Sequence, residues 1–286
     1  MAAGTVVVVG LIVAGVVFVG RGSSEGTSSG PRTLVWAALG DSFASGEGAE
    51  PAEGWTDSCH RTSTAYPDQA TELLRKRGVE VQLTTVACSG ATTTALTSSF
   101  KGQPPQLDAI VEGTNLVTVT MGGNDAGFVE LVAGCILSPR SCPPPDWAQR
   151  LSALDVALSA LVDAITDNSR LAPGARVMLI GYPQILPGER TCAPFSDVGR
   201  AGGRQIVADI NAIIASVAAR HRDRGVEVLD PNTSKRWEGH EACPTVGEAA
   251  YVNPLSFAAG GAPLHPNVSG HAAYAADLVS LITNDR

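Results

Sequence analysis

Apolar and polar positions along this chain fall into blocks that switch between two periods. Residues 34–39 form a short unbroken apolar run that ends at Gly40, the pattern of a buried strand. Residues 66–77 carry apolar side chains at helical spacing and finish in a basic turn, and residues 79–87 alternate as a strand does. Residues 116–121 are apolar and rich in β-branched side chains between Asn115 and Gly122, which predicts a second buried strand. Residues 151–165 place Asp155 and Asp163 opposite a long apolar face and predict a helix. After the turn signal Pro173-Gly174, residues 176–180 predict a strand. A long helix over 202–222, a short strand over 226–229 and a closing helix over 267–282 complete the series.

Strands alternating with helices predict a parallel sheet of about five strands with helices on both faces, an α/β/α sandwich. Ligands of such sheets bind beyond the carboxyl ends of the strands, so the residues just after each strand deserve the first look. Two long loops, 44–65 and 182–197, are rich in Gly, Pro and polar residues, and long loops in compact domains are often functional.

The two ends of the pattern differ. Residues 2–20 carry no ionisable side chain, Arg21 closes that run, and a Gly/Ser-rich stretch leads to Pro31. About 20 apolar residues can span a bilayer, and a shorter apolar core after a basic start makes a secretory signal peptide. The expected division is therefore a signal peptide or membrane anchor over 1–21, a flexible linker over 22–31 and one catalytic domain over 32–286. Both readings of the leader send the domain out of the cytoplasm, to the outside or to the cell surface. Composition fits one globular domain, with 44% hydrophobic and 17% charged residues. A net charge of −8 and the lack of a Lys/Arg cluster argue against nucleic acid as a partner.

Six cysteines change the picture further: Cys59, Cys88, Cys135, Cys142, Cys192 and Cys243. Their number is even and no C-x-x-C pair occurs, which disfavours a zinc site and favours disulfides in an exported protein. Spacing favours Cys135–Cys142 as one small loop. The other four then pair most simply as Cys59–Cys88 and Cys192–Cys243.

Chemistry gathers at the predicted strand ends. Gly40-Asp41-Ser42-Phe43-Ala44-Ser45-Gly46-Glu47-Gly48 follows the first strand, Ala87-Cys88-Ser89-Gly90-Ala91 the second and Gly122-Gly123-Asn124-Asp125 the third. Pro263-Leu264-His265-Pro266-Asn267 precedes the last helix. A hydroxyl nucleophile needs a base within hydrogen-bond reach and donors where an oxyanion forms, and these four blocks supply both. Ser42 alone would read as a helix cap, and the Gly-Gly-Asn-Asp block alone as a turn.

In this order, Ser42, Gly90, Asn124 and His265 resemble the four blocks of the SGNH (GDSL-type) hydrolases, over most of residues 33–283. The similarity extends to secreted actinobacterial lipases and esterases with three disulfides, and it favours the same cysteine pairing. It implies a flavodoxin-like sandwich, Ser42 as nucleophile, His265 as base, and an oxyanion hole of the Ser42 and Gly90 backbone N–H groups and the Asn124 amide. No metal or organic cofactor is implied, and the expected chain is a monomer acting on an ester or lipid. One departure stands out. Many members carry an Asp three residues before the His, where this chain has Ala262. A dyad is expected instead, with the Ala262 backbone carbonyl orienting the imidazole. Asp230 and Glu248 are the acids that could substitute from elsewhere, and His60, beside Cys59, is a candidate to line the site. Phe43, Trp55, Ile185 and Leu264 are candidates for its apolar walls. Lipid esters are the first substrate class expected. A carbohydrate O-acetyl esterase or phospholipase on the same site is the alternative enzyme, and a catalytically weak cell-surface binding protein is the alternative of another class.

Overall fold

The computed structural model describes residues 1–2, 33–50, 55, 57–255 and 262–283. The predicted leader and linker lie outside these residues, apart from Met1 and Ala2. Among the described residues no helix is long and apolar enough to cross a membrane.

Five strands form one sheet: β1 (Thr33–Gly40), β2 (Glu80–Thr85), β3 (Thr114–Thr120), β4 (Leu171–Ile180) and β5 (Val226–Leu229). All neighbours are parallel, in the order β2-β1-β3-β4-β5. The chain steps from β1 to β2 on one side and then returns to place β3 on the other. The strand order reverses between β1 and β3, and such sheets bind ligands beyond the carboxyl ends of the strands at this point. Trp36 to Leu39 on β1 and Leu116 and Val117 on β3 are buried in succession rather than alternately, as strands covered on both faces must be.

The helices are α1 (Ser42–Ser45), α2 (Tyr66–Lys76), α3 (Gly123–Ala126), α4 (Phe128–Leu137), α5 (Trp147–Thr166), α6 (Asp197–Arg220) and α7 (Val268–Thr283). Helix α2 packs on α7, and α5 on α6. Pro67 and Asp68 open α2, and Arg75 and Lys76 close it, each suited to its end of the helix dipole.

Most predicted elements are present, with shifted bounds. Strand β4 starts five residues before the predicted strand, since Leu171 pairs with Thr114 before a register shift. Helix α6 starts five residues before the predicted one. Ser196 caps it through the Gly199 N–H, and glycines in its first turns let it lie against the Cys135–Cys142 loop. A Cβ at Gly202 would fall 2.5 Å from the Cys142 carbonyl oxygen. Helix α4 has no predicted counterpart. Its sequence FVELVAGCIL is apolar almost throughout and shows no clear face. The three disulfides join Cys59 to Cys88, Cys135 to Cys142 and Cys192 to Cys243, the pairing expected, and no free cysteine is found among the described residues.

Candidate active site

Strand β1 runs out at Gly40, and the chain turns at once into α1. Asp41, fully buried, caps this short helix: one carboxylate oxygen accepts the Phe43 N–H at 3.0 Å, and the other accepts the Tyr182 hydroxyl at 2.6 Å. The Tyr182 oxygen in turn accepts the Gly123 N–H at 2.9 Å. One buried chain of hydrogen bonds thus ties the turn after β1 to the turn after β3. Burial raises the Asp41 pKa to about 7 even though the Tyr182 and Phe43 donors oppose it. Ser42 is the first residue of α1, so its hydroxyl stands at the carboxyl rim of the sheet.

His265 reaches this hydroxyl from the loop before α7. Its Nε2 lies 2.8 Å from Ser42 Oγ, and its Nδ1 lies 3.0 Å from the carbonyl oxygen of Pro263. The carbonyl expected there was that of Ala262, and the structure corrects it. The Ala262 oxygen already closes a turn by accepting the His265 N–H at 3.3 Å. Leu264 then adopts a φ of +62°, and the Pro263 carbonyl faces the ring instead. A carbonyl only accepts, so Nδ1 carries the ring proton and Nε2 is left with the lone pair.

The loop is strapped down by its main chain. Asn253 N–H donates to the His265 carbonyl at 2.8 Å, Leu264 N–H to the Asn253 carbonyl at 3.1 Å, and the Asn253 side-chain amide to the Gly48 carbonyl at 2.9 Å. Gly48 fits under the loop because it has no side chain. At its φ of +94°, a Cβ would sit 2.8 Å from His265 Cβ and 2.9 Å from the Pro266 oxygen.

Gly90 occupies a turn closed by the Ala91 N–H on the Cys88 carbonyl at 2.9 Å, which leaves the Gly90 N–H outside the turn's own hydrogen bond. Space does not demand glycine here, since a Cβ would meet only the Phe100 ring at 3.7 Å. The φ of +81° does. Asn124, on α3 after β3, donates one side-chain N–H to the Ala91 carbonyl at 2.9 Å, and its amide has a second N–H to give. Asp125 beside it accepts from the backbone N–H and the hydroxyl of Thr93, a structural bond that fixes the same loop.

The four predicted blocks therefore meet on one rim. Other predicted neighbours resolve differently. Phe43 lies beneath the imidazole, ring centres 5.0 Å apart, and Leu264 is mostly buried. Ile185 is fully buried in the core and cannot line an open wall. Asp230 accepts from the Asn232 N–H and Glu248 lies 3.9 Å from His240, so neither serves His265. His271 is fully buried and accepts the Tyr66 N–H at 3.2 Å, and burial, with the nearby His265, drives its pKa down to about 3.

The acid that does approach the site is Glu47, which no sequence pattern marked as a partner of the histidine. One oxygen lies 4.0 Å from His265 Nε2 and accepts the Ser89 hydroxyl, and the other lies 3.1 Å from His60 Nδ1. His60 is stacked on Trp55 at 3.6 Å. Burial alone would raise the Glu47 pKa, but His265, the Ser89 hydroxyl and His60 outweigh it and hold the carboxyl below its ordinary range. Burial lowers the His265 pKa, and Glu47 and the Pro263 carbonyl pull only part of it back.

Known proteins resemble this chain in sequence and in fold. The sequence pattern of the GDSL-like Lipase/Acylhydrolase family matches residues 38–273. A lipase from Streptomyces rimosus is 36% identical over 220 residues, covering 75% of this chain and 76% of that protein. The crystal structure of the extracellular lipase of Streptomyces rimosus superposes with a TM-score of 0.66 at 31% identity, over 86% of this chain and 99% of that one. Phospholipase A1 from Streptomyces albidoflavus NA297 does so with a TM-score of 0.66 at 27% identity, over 86% and 98%. Matched across most of its length, with its fold and its strand-end blocks in place, the chain belongs to the GDSL-like lipase/acylhydrolase family and is a carboxylic ester hydrolase.

Proposed function

We propose that this chain is an exported serine esterase that cleaves acyl esters of lipids through an acyl-enzyme on Ser42. The observation that carries this reading is the 2.8 Å contact between Ser42 Oγ and His265 Nε2 at the carboxyl rim of the sheet. With Nδ1 protonated against the Pro263 carbonyl, Nε2 takes the Ser42 proton as Oγ attacks the ester carbonyl carbon. The carbonyl π electrons move to its oxygen, and the Ser42 and Gly90 N–H groups and the Asn124 amide are the donors for that oxyanion. Collapse breaks the bond to the alcohol oxygen, which leaves with the proton from Nε2. Water then repeats the cycle, freeing the acid and Ser42.

Lipid esters are favoured as substrate because the relatives are named lipases and a phospholipase A1. Export is favoured by three disulfides and by the extracellular lipase among the solved relatives. The division proposed is a leader over 1–21, a linker over 22–31 and a hydrolase domain over 32–286, acting as a monomer.

The test is hydrolysis of p-nitrophenyl esters from acetate to palmitate by the full chain and by Ser42→Ala. The variant should lose at least about 10⁴-fold in kcat, and the wild type should prefer acyl chains of about eight carbons or more. Retained activity in Ser42→Ala would sink the nucleophile assignment, and a preference for acetate would sink the lipid reading.

A further inference from the structure

In a Ser-His-Asp triad one buried carboxylate does two things: it orients the imidazole through Nδ1, and it offsets the positive charge the ring acquires. Here the first is done by the neutral Pro263 carbonyl, 3.0 Å from Nδ1. A carbonyl cannot offset a full charge. On the opposite edge of the ring stands Glu47, 4.0 Å from Nε2. That distance exceeds a hydrogen bond, so the proton stays with Nε2, but a charge acts well beyond hydrogen-bond range, and more strongly in a site with little water. We propose that Glu47 is the acid of this site, a positioning residue that acts through His265 by stabilising its imidazolium from the Nε2 edge.

The surroundings of Glu47 fit the role. Its backbone N–H donates to the Ser42 carbonyl at 3.2 Å, so it is fixed to the nucleophile's own turn. Its carboxylate is steadied by the Ser89 hydroxyl and by His60, and those residues are joined through the Cys59–Cys88 disulfide between their neighbours. The titratable groups facing the pair are His60 from the loop after α1 and His271 from α7, and the latter is held neutral by burial. Glu47 is largely buried, with a side chain 16% exposed, so water screens it little.

This inference rests on the Ser42–His265 reading, and the experiment separates the two. The pH profile of kcat/KM is measured on p-nitrophenyl octanoate for wild type, Ser42→Ala, Glu47→Gln and Glu47→Asp. The acid limb reports the base of the free enzyme. Removing the Glu47 charge should move that limb down by about one to three pH units. The plateau kcat should fall roughly ten- to several-hundredfold, with KM nearly unchanged, and Glu47→Asp should restore part of both. In the Ser42→Ala background, the His265 titration followed by NMR should move down with Glu47→Gln in the same way. An inactive Ser42→Ala with an unmoved acid limb and an unmoved His265 titration in Glu47→Gln overturns this inference alone. An active Ser42→Ala overturns the underlying reading and this inference with it. Should Glu47→Gln fail to fold, Glu47→Asp is decisive by itself: its limb lies below the wild type's, or the inference fails.

Discussion

The two sides of the site are held in place by different means. On the Ser42 side, buried side chains grow out of the sheet. Gln106 bonds both the N–H and the carbonyl of Gly40 at 2.7 and 2.9 Å, and Asp41, Tyr182 and Gly123 form one chain of hydrogen bonds beneath Ser42. On the histidine side the bonds are mostly main chain to main chain, helped by one amide, Asn253, and by the bare surface of Gly48. The first arrangement fixes position by packing and a polar network around a rigid turn. The second fixes position by the fit of one loop against another. The rigid side should therefore answer to loss of a polar group, and the strapped side to a change of volume.

Three substitutions sharpen that contrast. On the rigid side, Asn124→Ala should lower kcat by about 10²–10³-fold through the lost oxyanion donor, with KM little changed in steady-state kinetics. On the strapped side, Gly48→Ala adds one carbon where no space exists and should displace His265. Misplacement of about 1 Å can cost on the order of 10²-fold, and the stability to urea should fall much less than the rate. Equal losses of rate and stability would show that the loop is part of the core after all. The smallest effect on rate is expected for Tyr182→Phe, which leaves one Asp41 carboxylate oxygen and the Gly123 N–H without their partner in the interior and should cost about 1–3 kcal/mol of stability.

Tyr182→Phe also makes a prediction about pH. The Asp41 carboxyl has an ordinary pKa of 3.8 and a folded value of about 7, so the folded chain binds its proton more tightly than the unfolded chain does. Its contribution is then fullest below the ordinary value and is lost as pH rises through the folded one. The Tyr182 hydroxyl lowers the folded value, so its removal should raise it and steepen the loss. Urea unfolding at about pH 5 and about pH 8 should show a larger difference in the variant than in the wild type, and an equal difference would refute the assignment.

Much of this was legible in the sequence where strands carry the chemistry. Ser42, Gly90 and Asn124 follow β1, β2 and β3, whose apolar runs are plain, and turn signals mark where each strand stops. His265 was legible only through its sequence block, since nothing periodic leads to it. What stayed hidden depends on partners far apart in the chain. Glu47 lies inside a block that the sequence singled out, yet its meaning comes from His60, Ser89 and His265, which only the fold assembles. The orienting carbonyl was misplaced by one residue because counting back from His265 cannot foresee the left-handed turn at Leu264. Helix α4 was missed because a segment apolar almost throughout gives no period to read.

The bond between Cys59 and Cys88 sits between His60, which faces Glu47, and Ser89-Gly90, in the loop after β2. Those two segments are also joined by the Ser89 N–H on the Cys59 carbonyl and, through side chains, by Glu47, which accepts the Ser89 hydroxyl and lies 3.1 Å from His60 Nδ1. While its thiols are reduced, the chain holds Ser42, Gly90, Asn124 and His265 but lacks the covalent tie beside Gly90. On the proposed mechanism, reduction of this one pair of thiols should lower activity as well as stability, which an ester-hydrolysis assay with and without a thiol reductant checks.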